Sequence, residues 1–152
     1  MESNRSRMMA SIRAKDTRPE MMVRRFLHAC GYRFRLHDRR LPGSPDIVLP
    51  RWRTVVEVRG CFWHAHEGCD RFRIPKTRTE WWRDKLMRNR ERDGDNLAGL
   101  IDLGWNVVVV WECALCDRPD EALQELTDIL AGIADDDRLV VRIIDCSIHR
   151  CR

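Results

Sequence analysis

Hydrophobic and polar positions change period several times along the chain, and each change marks an element. Met22, Val23, Phe26 and Leu27 recur at helical spacing. The preceding Thr17-Arg-Pro-Glu20 is a capping box with proline in the first turn, and Gly31 is a stop signal. Tyr32, Phe34 and Leu36 then alternate with Arg33, Arg35 and His37, the period of a strand. Leu41-Pro-Gly-Ser-Pro45 reads as a turn that delivers Asp46 to a short strand, Ile47-Val-Leu49. Pro50 to Arg53 turns the chain again, and Thr54-Val-Val-Glu-Val58 follows as the hairpin partner.

A loop runs from Gly60 to Lys76, and a second capping box, Thr77-Arg-Thr-Glu80, opens a helix to about Arg92. Asp93-Gly-Asp-Asn96 breaks or bends it before Leu97 to Leu103 resumes. Trp105 to Trp111 is an unalternating, buried strand. Asp117-Arg-Pro-Asp120 caps a last helix, Glu121 to Ala131, ended by Gly132, and Leu139 to Ile144 reads as a further strand. The order is α-β-β-β-α-α-β-α plus that strand: an α/β domain with a mixed sheet covered by helices. At 152 residues one core suffices. The expected division is a basic arm at 1–15, a domain at 16–133 and a tail at 134–152.

The longest purely apolar run, Val107 to Trp111, is far below the roughly 20 residues of a membrane helix. The start is polar and basic, unlike a secretory signal, so the expected address is the cytoplasm. Net charge is only +4 but is unevenly spread. Residues 1–92 hold 23 Lys+Arg against 11 Asp+Glu, while residues 93–152 hold 5 against 13. A basic half rich in arginine suits a phosphate-bearing partner.

Seven cysteines, an odd number without a secretory signal, favour metal or free thiols over a disulfide framework. Cys61, His64, His66 and Cys69 form C-x2-H-x-H-x2-C, and Cys113 stands at the end of the strand Trp105–Trp111. These five candidates compete for the four places of a tetrahedral zinc, so one histidine can be free to act as a base. Cys30, alone in a helical pattern, is expected to be buried, and Cys146, His149 and Cys151 are read as a tail that does not ligate. Asp46 and Glu57, on neighbouring strands, can place two carboxylates on one Mg²⁺, and Arg59 completes the outline of a PD…(D/E)xK nuclease site with arginine for lysine. Phe62-Trp63 either wedges between bases or packs over the metal site as a local core.

Several separated motifs together resemble the very short patch repair (Vsr) endonucleases. They are Arg5-Ser, Met9, Asp16-Thr17, Glu20, Leu41-Pro-Gly-x-Pro-Asp46, Gly60-Cys-Phe-Trp-His64, Pro75-x-Thr-Arg-Thr-Glu80, Asn89-x-Glu-Arg-Asp93, Leu103-Gly-Trp105 and Val110-Trp-Glu-Cys113. The resemblance implies a restriction-endonuclease-like fold and a Mg²⁺-dependent enzyme that nicks one strand at T:G mismatches. It makes Asp46 the metal-binding aspartate, His64 the catalytic histidine and Glu20 an acid assisting it through water. It makes Cys61, His66, Cys69 and Cys113 the structural zinc ligands, Phe62 and Trp63 the aromatics inserted beside the mismatch, and Met9 a wedge from the opposite groove. It further implies a monomer acting on mismatched double-stranded DNA at the bacterial nucleoid, with DNA repair proteins as partners. Three departures stand out: Arg59 replaces a histidine, Glu57 replaces an apolar residue, and the cluster carries the extra residue of Glu67-Gly68. The alternatives are a restriction-type nuclease of other specificity and a catalytically weak mismatch-binding protein.

Overall fold

The computed structural model describes residues 15–146. Met9 and the basic arm before Lys15, like His149 and Cys151, lie outside the described residues. Helix α1 (Arg18–Ala29) begins as its sequence directs: the Thr17 hydroxyl accepts from the Glu20 amide at 3.3 Å, and Gly31 leaves the helix at φ +89°. Cys30 is exposed, because it falls one residue beyond the helix.

Strands β1 (Arg35–Leu36), β2 (Ile47–Leu49) and β3 (Thr54–Arg59) pair antiparallel in sequence order. Only two residues of the first alternating segment pair, because Tyr32 and Phe34 instead pack against the core. A single turn of 3-10 helix, Pro50–Trp52, and Arg53 in the left-handed region link β2 to β3. The chain then crosses over through a loop and the long helix α2 (Thr79–Asp102) to β4 (Asn106–Trp111), parallel to β3. Helices α3 (Glu112–Asp117) and α4 (Pro119–Ala134) return it to β5 (Val141–Ile144), parallel to β4. The five-stranded sheet is thus mixed, with order β1-β2-β3-β4-β5.

Alternate residues of β4 serve opposite faces of this sheet. Val108 and Val110 join Val23 and Leu27 of α1 and Leu126 and Leu130 of α4. Val107, Val109 and Trp111 join Leu100 of α2 and the cysteines Cys61, Cys69, Cys113 and Cys146. Both faces are covered, so β4 reads as one apolar run.

The structure corrects four local readings. Helix α2 does not break at Asp93-Gly-Asp-Asn96. The 41–45 turn packs on its far half, where Gly43 lies against Asn96 and Pro42 against Gly99, and this tertiary support outweighs the propensity cost of Gly94. The second capping box is not used: Arg78 is the N-cap in a left-handed conformation, and the Thr79 hydroxyl donates to Pro75 and Lys76 carbonyls. Asp117 ends the unforeseen α3 instead of capping α4, and α4 runs through Gly132 to Ala134. Cys146 is buried, 4% exposed, beside the other cysteines of the second core.

Candidate active site and metal centre

The site gathers where β2 begins and β3 and β4 end. Antiparallel pairing of β2 with β3 sets Ile47 opposite Val56, which brings Asp46 beside Glu57 and Val58. Oδ2 of Asp46 accepts a 2.8 Å hydrogen bond from the Val58 amide. Burial pushes the Asp46 carboxyl up to about 7; that amide opposes the shift, while Glu20 and Glu57 add to it and His64 opposes it. An acid pressed by two others is a fitting seat for a hard divalent cation, which relieves the same repulsion.

Glu57 and Arg59 point along the same face of β3, two residues apart. Nε and an Nη of Arg59 lie 3.1 and 2.6 Å from one Glu57 oxygen, and the guanidinium sits 5.8 Å from the Trp111 ring centroid. Two of the three departures from the resemblance, Glu57 and Arg59, therefore meet in one ion pair.

Glu20 is 3% exposed on α1. Its Oε2 accepts from the Asp16 amide at 3.1 Å and from Arg24, one turn later, at 2.9 Å. Arg24 also reaches Asp16 at 2.7 Å and Nε2 of His37 at 2.9 Å. Asp16, Glu20 and His37 lie close enough to share a cation. The cation at their centre is the Arg24 guanidinium. The His37 amide donates to the Asp46 carbonyl at 3.2 Å, and Nδ1 of His37 stands 3.9 Å from Asp46 Oδ1. Sequence reasoning missed both Arg24 and His37; the i, i+4 spacing of Glu20 and Arg24 was the available signal.

His64 is fixed from the other side. Its Nδ1 lies 2.7 Å from Oδ2 of Asp93. The carboxylate can only accept, so Nδ1 donates, and in the neutral imidazole the lone pair lies on Nε2. Helix α2 holds the whole loop on one face: Asn89 donates to the Trp63 carbonyl at 3.0 Å, and Arg90 pairs with Glu67. The sequence places Asp93 in a helix-breaking segment and at the end of the motif Asn89-x-Glu-Arg-Asp93, but does not pair it with His64.

Phe62 and Trp63 do not cover the cysteines. They pack edge-on at 5.0 Å and both meet Trp82 of α2, at 5.4 and 6.0 Å. Trp81, 41% exposed, continues the cluster, flanked by Arg78 and Lys85. Trp81 and Trp82 escaped the sequence reading because they lie on another element. The ring over the cysteine cluster is Trp111, stacked on His66 at 3.9 Å and 4°.

Ligand atoms of Cys61, His66, Cys69 and Cys113 all lie within 4.8 Å of one another. Nδ1 of His66 is 3.6 Å from Sγ of Cys113. A tetrahedron with zinc–ligand bonds of 2.0–2.3 Å has edges of about 3.5–3.8 Å, so these donors fit that metal. Burial pushes the Cys69 thiol up to about 11. Cys113 is also raised, first by its hydrogen bond with Cys61 and then by burial. His64 is outside this group and Cys116 is exposed.

An oriented imidazole and half-buried carboxylates, next to half-buried aromatics on an arginine-rich chain, form an arrangement that can serve phosphodiester cleavage. In class, the protein is a DNA endonuclease. The family model for DNA mismatch endonuclease Vsr matches residues 1–71. The type II nicking enzyme V.XorIIP of Xanthomonas oryzae pv. oryzae is 52% identical over 110 residues, covering 72% of this chain and 80% of that protein. The type II nicking enzyme V.NmeAIP of Neisseria meningitidis is 43% identical over 132 residues, 83% and 94% of the two chains. The DNA mismatch endonuclease Vsr of Escherichia coli is 44% identical over 127 residues, 82% and 81%. The chain belongs to the Vsr family of DNA mismatch endonucleases. Among the described residues no helix is long and apolar enough to cross a membrane.

Proposed function

We propose that this endonuclease nicks one strand of duplex DNA at a T:G mismatch in a Mg²⁺-dependent reaction, the opening step in repair of deaminated 5-methylcytosine. The observation that carries the reading is the His64–Asp93 pair on the loop that also bears Phe62 and Trp63. Asp46 is the residue that holds the cation, and Mg²⁺ would supply positive charge to the phosphoryl oxygens as the transition state forms. Nε2 of His64 takes the proton of the attacking water, and Asp93 stabilises the resulting imidazolium. Glu20, locked by Arg24, acts on the opposite side of Asp46 as an acceptor for water. Arg59 offsets Glu57, and the pair keeps the end of β3 in register beside the reacting phosphate.

Specificity comes from the wedge. Opening a base step costs a few kcal/mol and less at a poorly stacked mismatch. Phe62 and Trp63 immediately precede His64, so inserting the rings also sets the imidazole. Zinc on Cys61, His66, Cys69 and Cys113 has a structural role, closing the loop at both ends. The natural partner is double-stranded DNA containing a mismatch, bound by a monomer and passed to repair proteins at the nucleoid. Replacing Phe62 and Trp63 by alanine tests the reading: nicking of T:G duplex should fall at least tenfold more than affinity for matched duplex. Equal losses on both substrates, with the fold intact, would assign the aromatics to packing alone.

A further inference from the structure

The ladder between β1 and β2 sets His37 opposite Asp46. Leu36 pairs with Ile47, and one step further the His37 amide donates to the Asp46 carbonyl at 3.2 Å. His37 takes a left-handed backbone, φ +47°, which glycine adopts readily and most side chains disfavour. Its ring has neighbours at both nitrogens. Nε2 lies 2.9 Å from an Nη of Arg24. A guanidinium can only donate, so Nε2 accepts, and the ring is neutral with its proton on Nδ1. Oxygens of Asp16 and Glu20 also face Nε2, but at 3.8 Å, and Arg24 donates to both. Nδ1 faces Oδ1 of Asp46 at 3.9 Å. The other oxygen, Oδ2, already accepts from the Val58 amide. Contacts of this kind are often long in a resting enzyme and tighten when the reactants assemble.

We propose that His37 is a positioning residue of the nicking site: Arg24 sets its tautomer, and its Nδ1–H orients the Asp46 carboxylate for a divalent cation. This rests on the reading of Asp46 as the residue that holds Mg²⁺. A carboxylate fixed at Oδ2 alone can still swing about that hydrogen bond. The Val58 amide holds one oxygen and the imidazole steers the other, so the ligand is set before the ion arrives. Arg24 and His37 also link the acid on α1 to the acid before β2, which fixes the spacing between Glu20 and Asp46.

The test uses the full chain and three substitutions. His37→Asn places an amide N–H where Nδ1–H was and suits the left-handed backbone. His37→Gln keeps an acceptor for Arg24 at the Nε2 position but no donor at Nδ1. His37→Gly removes the ring where the backbone favours glycine, so the fold is retained. Mn²⁺ binding without DNA is followed by electron paramagnetic resonance, with Asp46→Ala defining ions bound elsewhere. Single-turnover nicking of T:G duplex against Mg²⁺ concentration, DNA affinity in chelator and urea unfolding are read alongside. The Gln and Gly variants should bind Mn²⁺ roughly 10–100-fold more weakly and need correspondingly more Mg²⁺, while Asn stays within about threefold of wild type. DNA affinity in chelator should be unchanged throughout. Wild-type Mn²⁺ affinity in the Gly variant overturns the proposal. So does an Asn variant as impaired as Gln, because the donor at Nδ1 is then not what matters. Losses that follow unfolding in urea also overturn it, since the ring would then only pack. Equal Mn²⁺ binding by wild type and Asp46→Ala overturns the cation reading of Asp46 itself, and that control separates the two failures.

Discussion

Nδ1 of His64 and Oδ2 of Asp93 are 2.7 Å apart, although 29 residues separate them in the chain. One residue lies in the loop after β3 and the other on the fourth turn of α2, so the tautomer proposed for catalysis depends on how the loop docks against that helix. Asp93→Asn keeps the shape but replaces an obligate acceptor by a group that can donate. The imidazole proton then moves to Nε2, where the base is needed. A drop in kcat of about 10²–10⁴ is expected, with DNA affinity nearly unchanged. Single-turnover nicking and binding titrations on the same mismatched duplex check it.

Glu57 and Arg59 are 12% and 13% exposed at their side chains, so each depends on the other. Arg59→Met alone leaves a buried carboxylate without its partner and should cost on the order of 3–5 kcal/mol. Changing both, Glu57→Leu with Arg59→Met, should recover most of that loss. Urea unfolding of the two single variants and the double variant measures it. Simple additivity would show that the residues act separately.

The half-buried Asp46 carboxyl predicts a pH dependence of stability. Its folded value, about 7, lies above the ordinary 3.8. The folded state therefore favours the protonated form: the stability this group contributes is fully present below about pH 4 and is lost as pH rises through 7. Asp46→Asn should make the Mg²⁺-free protein more stable at pH 8 by on the order of 2–4 kcal/mol, with little gain at pH 4. The same variant should lose nicking while retaining DNA binding, which comes mainly from phosphate contacts. Equal effects on stability at both pH values would contradict the shift.

Arg24 holds Glu20, Asp16 and His37 together. Arg24→Leu leaves three polar groups facing an apolar replacement and should destabilise by about 2–4 kcal/mol. Thermal unfolding checks it, and a variant as stable as the parent would show that the network is solvated.

Most of the elements and the hairpin carrying Asp46 and Glu57 were legible because alternation, proline and glycine act locally. The cysteine spacing was legible in the same local way, whereas a role for Phe62 and Trp63 came only from the family resemblance, since spacing alone left them as wedge or local core. What escaped depends on distant contacts. Gly94 stays helical because Pro42 and Gly43 brace the far end of α2. Asp93 has a partner that only the folded loop supplies. Spacing left His64 and His66 as rivals for the metal, and it is the stacking of His66 on Trp111, beside Cys113, that separates them. Cys146 looked like tail because nothing near it in sequence announces that β5 pairs with β4.

The most direct measurement is strand-resolved cleavage of end-labelled duplexes carrying T:G, every other single mismatch, or none, with Mg²⁺ and with a chelator of divalent ions. A single nick in the thymine-bearing strand of the T:G duplex, dependent on Mg²⁺ and at least tenfold faster than on matched DNA, is the predicted result. Cutting of both strands of matched duplex, or nicking that persists without a divalent cation, would contradict the account.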